Sequence, residues 1–423
     1  MFLYFKTIMC GTLLVLGLSQ GIFAESLTRD QAVRFALEHN PEVIAAYQVW
    51  QAERARSLQA WSPPNPELEL ESEGMSGAFQ FGSFEQRDVG IVQRLSFPVA
   101  WWLRGQAGKF QAQAVQFGVY ETTRQDVALR VHLAYDRMLA NAQIVRYAEE
   151  NVKLAEHLFK RAQMRFTAGD VPKLDVMRAE VALLRQKNQY MIAKNKLKVS
   201  QVSLNALLNR SDATPLALTD SLVYTSENLD VDVLRDQALI QRAEFLGAQQ
   251  VYLGARKTRS LATASSLPDV SLGIFRQTVA APTGRQKFWR TGISVELPVW
   301  ALFKQRGQLN EAKAHLAQSG AELDHVKLKI GQEVDAAGAN LNAAAERAKW
   351  MQERILPTSK AAFEMARSSY DEGKASYLEL LESQREWVDT QTEYVETLFE
   401  YRAAKAQLAR ATGTLLISEE NEQ

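Results

Sequence analysis

The stretch Asp88-Val89-Gly90-Ile91-Val92-Gln93-Arg94-Leu95-Ser96-Phe97-Pro98 alternates, and so does Arg290-Thr291-Gly292-Ile293-Ser294-Val295-Glu296-Leu297-Pro298. In the first, Val89, Ile91, Leu95 and Phe97 share one face and Asp88, Gly90, Arg94 and Ser96 the other. In the second, Thr291, Ile293, Val295 and Leu297 oppose Arg290, Gly292, Ser294 and Glu296. Period two marks strands with one apolar and one polar face. Each has an alternating companion before it: residues 66–73, with Leu68 and Leu70 against Glu67, Glu69, Glu71 and Glu73, and residues 268–277, with Val270, Leu272 and Ile274 against Asp269, Ser271 and Gly273. Such strands approach the ~9–11 residues that cross a bilayer at a tilt. A soluble sheet packed on helices would alternate in the same way. A membrane sheet must also lose its edges, because lipid tolerates no open edge and single-chain barrels need ~8 strands or more. Four strands fall short, whereas three copies would supply twelve.

The two strand pairs are landmarks of a duplication with an offset of about 200 residues. Asn65-Pro66-Glu67-Leu68 matches Leu267-Pro268-Asp269-Val270. Arg165-Phe166-Thr167-Ala168-Gly169 with Leu174-Asp175-Val176 matches Ser369-Tyr370-Asp371-Glu372-Gly373 with Leu378-Glu379-Leu380, and Tyr190 matches Tyr394. Residues 25–210 and 231–413 therefore read as structural repeats, 211–230 as a linker containing Pro215, and 414–423 as a tail.

Helical periodicity fills the remainder. The first half predicts helices over 28–60, 99–167 and 172–209; the second over 232–265, 299–372 and 374–413. At ~1.5 Å per residue, a run of about 70 residues extends ~100 Å, far beyond a globular core helix. The two shorter helices of the first half sum to about the length of the long one, so they can stack end to end along it. From Leu309 a seam runs through Ala312, Leu316, Ser319, Leu323, Val326, Ile330, Val334, Ala337, Leu341, Ala344, Ala348, Met351 and Ile355 in 3,4 steps, with a stutter between Ile330 and Val334. That is a coiled-coil signature, and its alanines around 337–348 are expected at the contact between copies.

The 423 residues carry 49 Lys plus Arg against 49 Asp plus Glu, so no bulk attraction to nucleic acid is implied. Residues 1–24 present Lys6, an apolar run around Leu13 to Leu18, and Gly21-Ile22-Phe23-Ala24 before Glu25, which predicts a secretory signal cleaved after Ala24. Cys10, the single cysteine, stands too close to Lys6 for lipoprotein processing to be preferred, and the mature chain would hold neither a disulfide nor a cysteine metal site.

Taken together, these residues resemble the TolC-type outer membrane efflux factor family over essentially the whole mature chain. The resemblance rests on the duplicated helix-strand-strand-helix plan, the Pro98 and Pro298 strand-to-helix turns, and the paired tip motifs. It implies a mainly α chain with a small β part, whose long antiparallel coiled-coil helices form a trimeric α-barrel continuous with a 12-stranded transmembrane β-barrel, four strands per chain. It further implies a homotrimer in the outer membrane lipid with a long periplasmic part, docked through a periplasmic adaptor protein to an inner-membrane pump, proton-driven. The run Ser62-Pro63-Pro64-Asn65-Pro66-Glu67-Leu68-Glu69-Leu70-Glu71 is similar to the heavy-metal cation efflux branch. Carried over position by position, Asp175, Tyr370, Glu379 and Glu382 match the periplasmic gate, and the turns Ala168, Gly169, Asp170, Val171 and Gly373, Lys374, Ala375, Ser376 match the adaptor-docking tips. Ala375 stands where some members carry a gate arginine, so their salt-bridge latch is not reproduced at that position.

No enzyme chemistry is expected. His39, His132, His157, His315 and His325 lack ligand spacing. Met164, Met177, Met191, Met351 and Met365 fit core positions better than a soft-metal ladder. There is no phosphate loop or nucleophile elbow, so no cofactor is expected. Open alternatives are a multidrug efflux or type I secretion duct and, from another class, a periplasmic coiled-coil scaffold.

Overall fold

The computed structural model describes residues 25–75, 77, 84–211, 216–225, 231–296 and 303–415. The signal segment, Cys10, the turn at Pro298 and most of the tail lie outside the described residues.

The first half runs β1 (Glu25–Leu27), α1 (Arg29–His39), α2 (Pro41–Ala60), β2 (Glu67–Glu73), β3 (Gln86–Leu95), α3 (Pro98–Val115), α4 (Thr122–Ala168) and α5 (Lys173–Leu207). After β4 (Leu216–Leu218), the second half runs α6 (Val231–Gln241), α7 (Ala243–Ala264), β5 (Asp269–Ala281), β6 (Gly284–Glu296), α8 (Lys304–Trp350), α9 (Leu356–Asp371) and α10 (Tyr377–Thr412). Single π-helical turns, Gln116–Glu121 and Met351–Ile355, join α3 to α4 and α8 to α9. Among the described residues no helix is long and apolar enough to cross a membrane.

The run predicted as one helix over 28–60 is two. Pro41 lacks a donor and holds its predecessor extended, so Asn40 adopts φ −70°, ψ 126° and caps α2 by accepting from the Glu42 amide at 2.9 Å. The run over 232–265 also breaks, at Arg242 (φ −69°, ψ 123°), without a proline to announce it. Strands β5 and β6 extend beyond 268–277 and 289–297 to meet at Gly284, whose φ of +113° suits glycine. Within the expected linker, β4 pairs in parallel with β1.

One lateral order governs the molecule. The antiparallel sheet runs β2-β3-β5-β6, and the helices below follow as α2-α3-α7-α8. Toward the far end, α5 packs on α4, α4 on α10, and α10 on α8 and α9. Helix α5 continues the column of α2: Asn40 Nδ2 donates to the Leu207 carbonyl at 2.9 Å and Asn209 Nδ2 to the His39 carbonyl at 3.2 Å. The chain is thus a row with two free sides. One is built of β2, α2 and α5, the other of β6, α8 and α9.

The core is divided along the row. Val33, Val127, Val131, Tyr135 and Leu204 fill one cluster; Ile330, Val334, Leu341, Tyr401 and Leu408 a second; Leu158, Phe363, Tyr370 and Leu380 a third near the helical tips. The α8 seam is buried at Ala312, Ser319, Ile330, Val334, Ala337, Leu341, Ala344, Ala348 and Met351. Ile355 is exposed, because the π turn rotates the register after Met351. The partner of the seam corrects the expected contact between copies: alanines 337–348 pack on Tyr401, Ala404 and Leu408 of the same chain. A second correction concerns the methionines. Met351 is core, but Met164, Met177, Met191 and Met365 are exposed.

Candidate functional site at the tips and the sheet

The two helical tips share one backbone solution. Helix α4 ends on Gly169 (φ +85°), where the Asp170 amide donates to the Arg165 carbonyl at 2.9 Å and the Gly169 amide to the Phe166 carbonyl at 3.0 Å. Helix α9 ends with Gly373 (φ +77°), the Lys374 amide on the Ser369 carbonyl at 2.8 Å and the Gly373 amide on the Tyr370 carbonyl at 3.1 Å. These are Schellman closures, which need a left-handed residue. Ala168, Asp170 and Lys374 are exposed and Val171 is half-buried; Lys374 pairs with Glu372 at 2.6 Å.

The next helix starts differ. Ser376 caps α10 through a reciprocal box: its hydroxyl accepts from the Glu379 amide at 3.3 Å while Glu379 Oε2 accepts from the Ser376 amide at 3.0 Å. Pro172, at the equivalent place before α5, offers no side-chain cap, and Asp175 faces Arg178 at 3.4 Å instead. Glu379 is therefore held at the helix start, while Glu382 is exposed one turn on.

Tyr370 is 1% exposed. Its ring meets Tyr377 edge-on at 5.7 Å, and among the described residues its hydroxyl has no hydrogen-bonding partner. Burial pushes its phenol above the ordinary value, with Arg165 opposing and Asp175 reinforcing the shift; burial pushes Tyr377 up to about 12, with Tyr370 and Asp175 adding to it. The expected site residues thus divide. Asp175 and Tyr370 share one electrostatic neighbourhood, whereas Glu379 and Glu382 serve separate places on α10.

Two residues missed in the sequence join the tips. Arg165 donates through Nη1 to the Tyr370 carbonyl at 2.7 Å, and its guanidinium lies 4.8 Å from the Tyr370 ring centre. One turn earlier Arg161 pairs with Asp371 at 3.1 Å. Their i,i+4 spacing at the end of α4, opposite the helix that ends in Asp371, is the signal that could have found them. Ala375 carries no charge and packs on the tip core.

At the opposite end the sheet is inverted relative to a soluble one. Leu68, Leu70, Ile91, Ile274, Ile293 and Val295 are exposed. On the other face Asp88 is buried and paired with Arg290 at 2.8 Å, and Arg290 lies 4.4 Å from the Phe275 ring centre. The Phe275 ring covers Gly90, Gly273 and Gly292 on three strands, where a Cβ at Gly90 would fall 2.2 Å from it. Glu67, Glu69, Glu71 and Glu73 pair in register with Val92, Gly90, Asp88 and Gln86, so they lie on this same polar face.

A family model described as outer membrane efflux protein matches this chain twice, over residues 32–210 and 234–414. Protein CyaE of Bordetella pertussis is 26% identical over 345 residues, spanning 76% of this chain and 70% of its own length. Among solved structures, CusC superposes with a TM-score of 0.76 at 18% identity, covering 91% of this chain and 92% of its own. The outer membrane protein VceC of Vibrio cholerae gives 0.75 at 16%, covering 91% and 96%. A sheet that turns its apolar face outward, set on helices far too long for a globule, has its explanation here: the chain belongs to the outer membrane efflux protein family, as an outer-membrane channel of tripartite efflux systems.

Proposed function

We propose that three copies of this chain join side to side into a closed duct that exports heavy-metal cations delivered by a periplasmic adaptor and an inner-membrane pump. The observation that carries closure is the pair of unlike free sides. Among the described residues β2 and β6 each present an unpaired edge, and α5 presents Leu174, Met177, Val181, Leu184 and Met191, all exposed, at 3,4 spacing. Unlike sides that meet head to tail generate a ring when the rotation closes. Twelve strands clear the minimum for a barrel, which four do not.

Closure turns the polar face of the sheet inward. Glu67, Glu69, Glu71 and Glu73 from three copies then line the lumen, a wall that concentrates cations. This ladder, with the resemblance of residues 62–71 to the heavy-metal branch, favours metal cations as cargo. The exposed turns at Gly169 and Gly373 form the adaptor-docking ends. Glu379 and Glu382 line the entrance behind them, Asp175 and the buried Tyr370 stand beneath it, and Arg161 and Arg165 hold the two tips together while it is shut.

The test is export from cells lacking their own channel. With its cognate adaptor and pump, the chain should restore tolerance to metal cations, and E67Q/E69Q/E71Q/E73Q should reduce it without dissociating the oligomer. Restored drug tolerance or polypeptide export with unchanged metal tolerance would assign the duct to another cargo.

A further inference from the structure

On the outward face of the sheet, the levels nearest the hairpins change character. Leu70, Val89, Arg276 and Trp289 are neighbours in register; the next level holds Ser72, Arg87, Thr278 and Lys287, and the last pairs Ala280 with Arg285. Below them the same face is apolar through Ile91, Ile274, Ile293, Leu272 and Val295. Among the described residues four cations therefore crown an apolar band, against one carboxylate, Glu85, on that face. The polar charges Asp88 and Arg290 lie on the opposite face, neutralised by each other.

The crown is ordered by aromatic rings. Arg87 and Arg285 stack on the same ring, Phe84, with guanidinium carbons 3.9 and 4.3 Å from its centre, and Arg276 lies 5.0 Å from that of Trp289. Arg87 also donates to Ser72 Oγ at 3.2 Å. Trp289, 70% exposed where apolar surface gives way to charge, has the amphipathic ring that settles at a membrane-water boundary. The helices occupy the periplasmic end, so this boundary belongs to the outer leaflet.

We propose that Arg87, Arg276, Arg285 and Lys287 form a collar that binds the phosphate groups of an outer-leaflet lipid, anchoring the barrel at a fixed depth. The proposal rests on closure of the sheet into a barrel. A lipid is the occupant, in preference to a soluble anion, because the collar is continuous with the apolar band: one molecule can place acyl chains on Ile91 and Ile274 and its phosphates on the cations one to three levels above, each level ~7 Å from the next.

The experiment is equilibrium binding of radiolabelled diphosphorylated lipid A to the purified oligomer in neutral detergent, with native mass spectrometry reporting oligomeric state. R285Q/K287Q changes two exposed side chains, and R87Q/R276Q is added to it. At about fivefold per cation, the double variant should bind about thirtyfold more weakly, and the quadruple variant weaker still. Monophosphorylated lipid A should bind more weakly than the diphosphorylated form, and K313Q/K329Q, which removes equal charge from α8, should not change binding. Unchanged binding in the quadruple variant, equal binding of a zwitterionic lipid, or displacement by millimolar inorganic phosphate would overturn the collar. Monomers in the wild-type spectrum would instead overturn ring closure, so the two failures are distinguishable.

Discussion

At the joint between α1 and α2, Asn40 holds the stacked end of α5 through one neutral hydrogen bond to the Leu207 carbonyl. At the matching joint between α6 and α7, Arg242 reaches the Ala411 carbonyl of α10 at 3.5 Å and also pairs with Glu244 at 3.0 Å and with Glu333. Arg410 joins this network through Asp126 and Glu244. One duplicated plan thus has two chemistries, a proline-assisted amide cap in the first half and a buried ionic cluster in the second. Proline fixes a break by sterics alone, whereas a break without proline needs strong partners for the exposed backbone ends.

That contrast predicts unequal sensitivity. Arg242→Ala removes the shared partner of Glu244 and Glu333, leaving Arg410 to the first and Lys329 to the second, and should cost about 2–3 kcal/mol. Asn40→Ala removes a cap and should cost about 1 kcal/mol, with Pro41 still enforcing the break. Denaturant titration of the solubilised protein measures both, and equal losses would break the comparison.

The tips offer a second contrast, because Arg161 and Arg165 reach from the first tip to the second. The Arg165 bond to the Tyr370 carbonyl contributes about 1.5–3 kcal/mol, and the part-exposed Arg161–Asp371 pair about 0–1 kcal/mol. R161A/R165A should therefore shift the tips toward the open arrangement by tenfold or more, raising single-channel conductance or open probability in planar bilayers. Unchanged current would confine both arginines to a structural role.

Acid should separate the halves by pH window. Burial, with Arg29 and Arg402 adding to it, holds His132 at about 3, so it is neutral in the folded chain. Its folded value lies below the ordinary 6.5, and the stability it contributes is lost as pH falls from about 6.5 toward 3. Burial raises Glu244, but hydrogen bonds from Arg242 and Arg410 outweigh it and bring the carboxyl to about 2; its contribution is present above the ordinary 4.5 and is lost from there toward 2. Thermal unfolding against pH should lose its early limb in H132L and its late limb in E244Q.

The smallest effects belong to the tip backbone. Ser376→Ala breaks the box that the first tip lacks and should cost about 1 kcal/mol, freeing Glu379. Gly169→Val strains a left-handed residue by about 1–2 kcal/mol, with nothing near for the side chain to strike. It should weaken adaptor cross-linking while leaving the oligomer whole.

Much of this was legible in sequence because period two and the 3,4 seam record burial directly. The seam named its buried residues from Ala312 to Met351, yet periodicity says that a face is covered and not by what, so alanines 337–348 were referred to a neighbouring copy when α10 covers them. The surfaces left for neighbours, around Met177 on α5 and Met365 on α9, look like core in sequence because a contact between copies has the same composition. Pro41 marks its break locally although 28–60 reads as one helix by periodicity, whereas Arg242 has no local signature and depends on carboxylates distant in sequence. The π turns were invisible, since one extra residue in a turn leaves no compositional mark. Tip register points to Asp175 and Tyr370, whereas Arg165 is marked only by its i,i+4 spacing from Arg161, because its partner is a backbone carbonyl of the opposite tip.

Closure through unlike sides has a direct test. Met177 and Met365 are 55% and 70% exposed on opposite free sides, about one turn into α5 and somewhat under two turns back from the end of α9, and so within about one turn of the same height. In a background with Cys10 replaced, M177C/M365C treated with a short bifunctional thiol reagent should give a ladder that ends at the trimer, while neither single variant should cross-link. Cross-linking in a single variant would mean like sides meet, and absence of a ladder in the double variant would mean these sides do not meet at all; either result contradicts the ring.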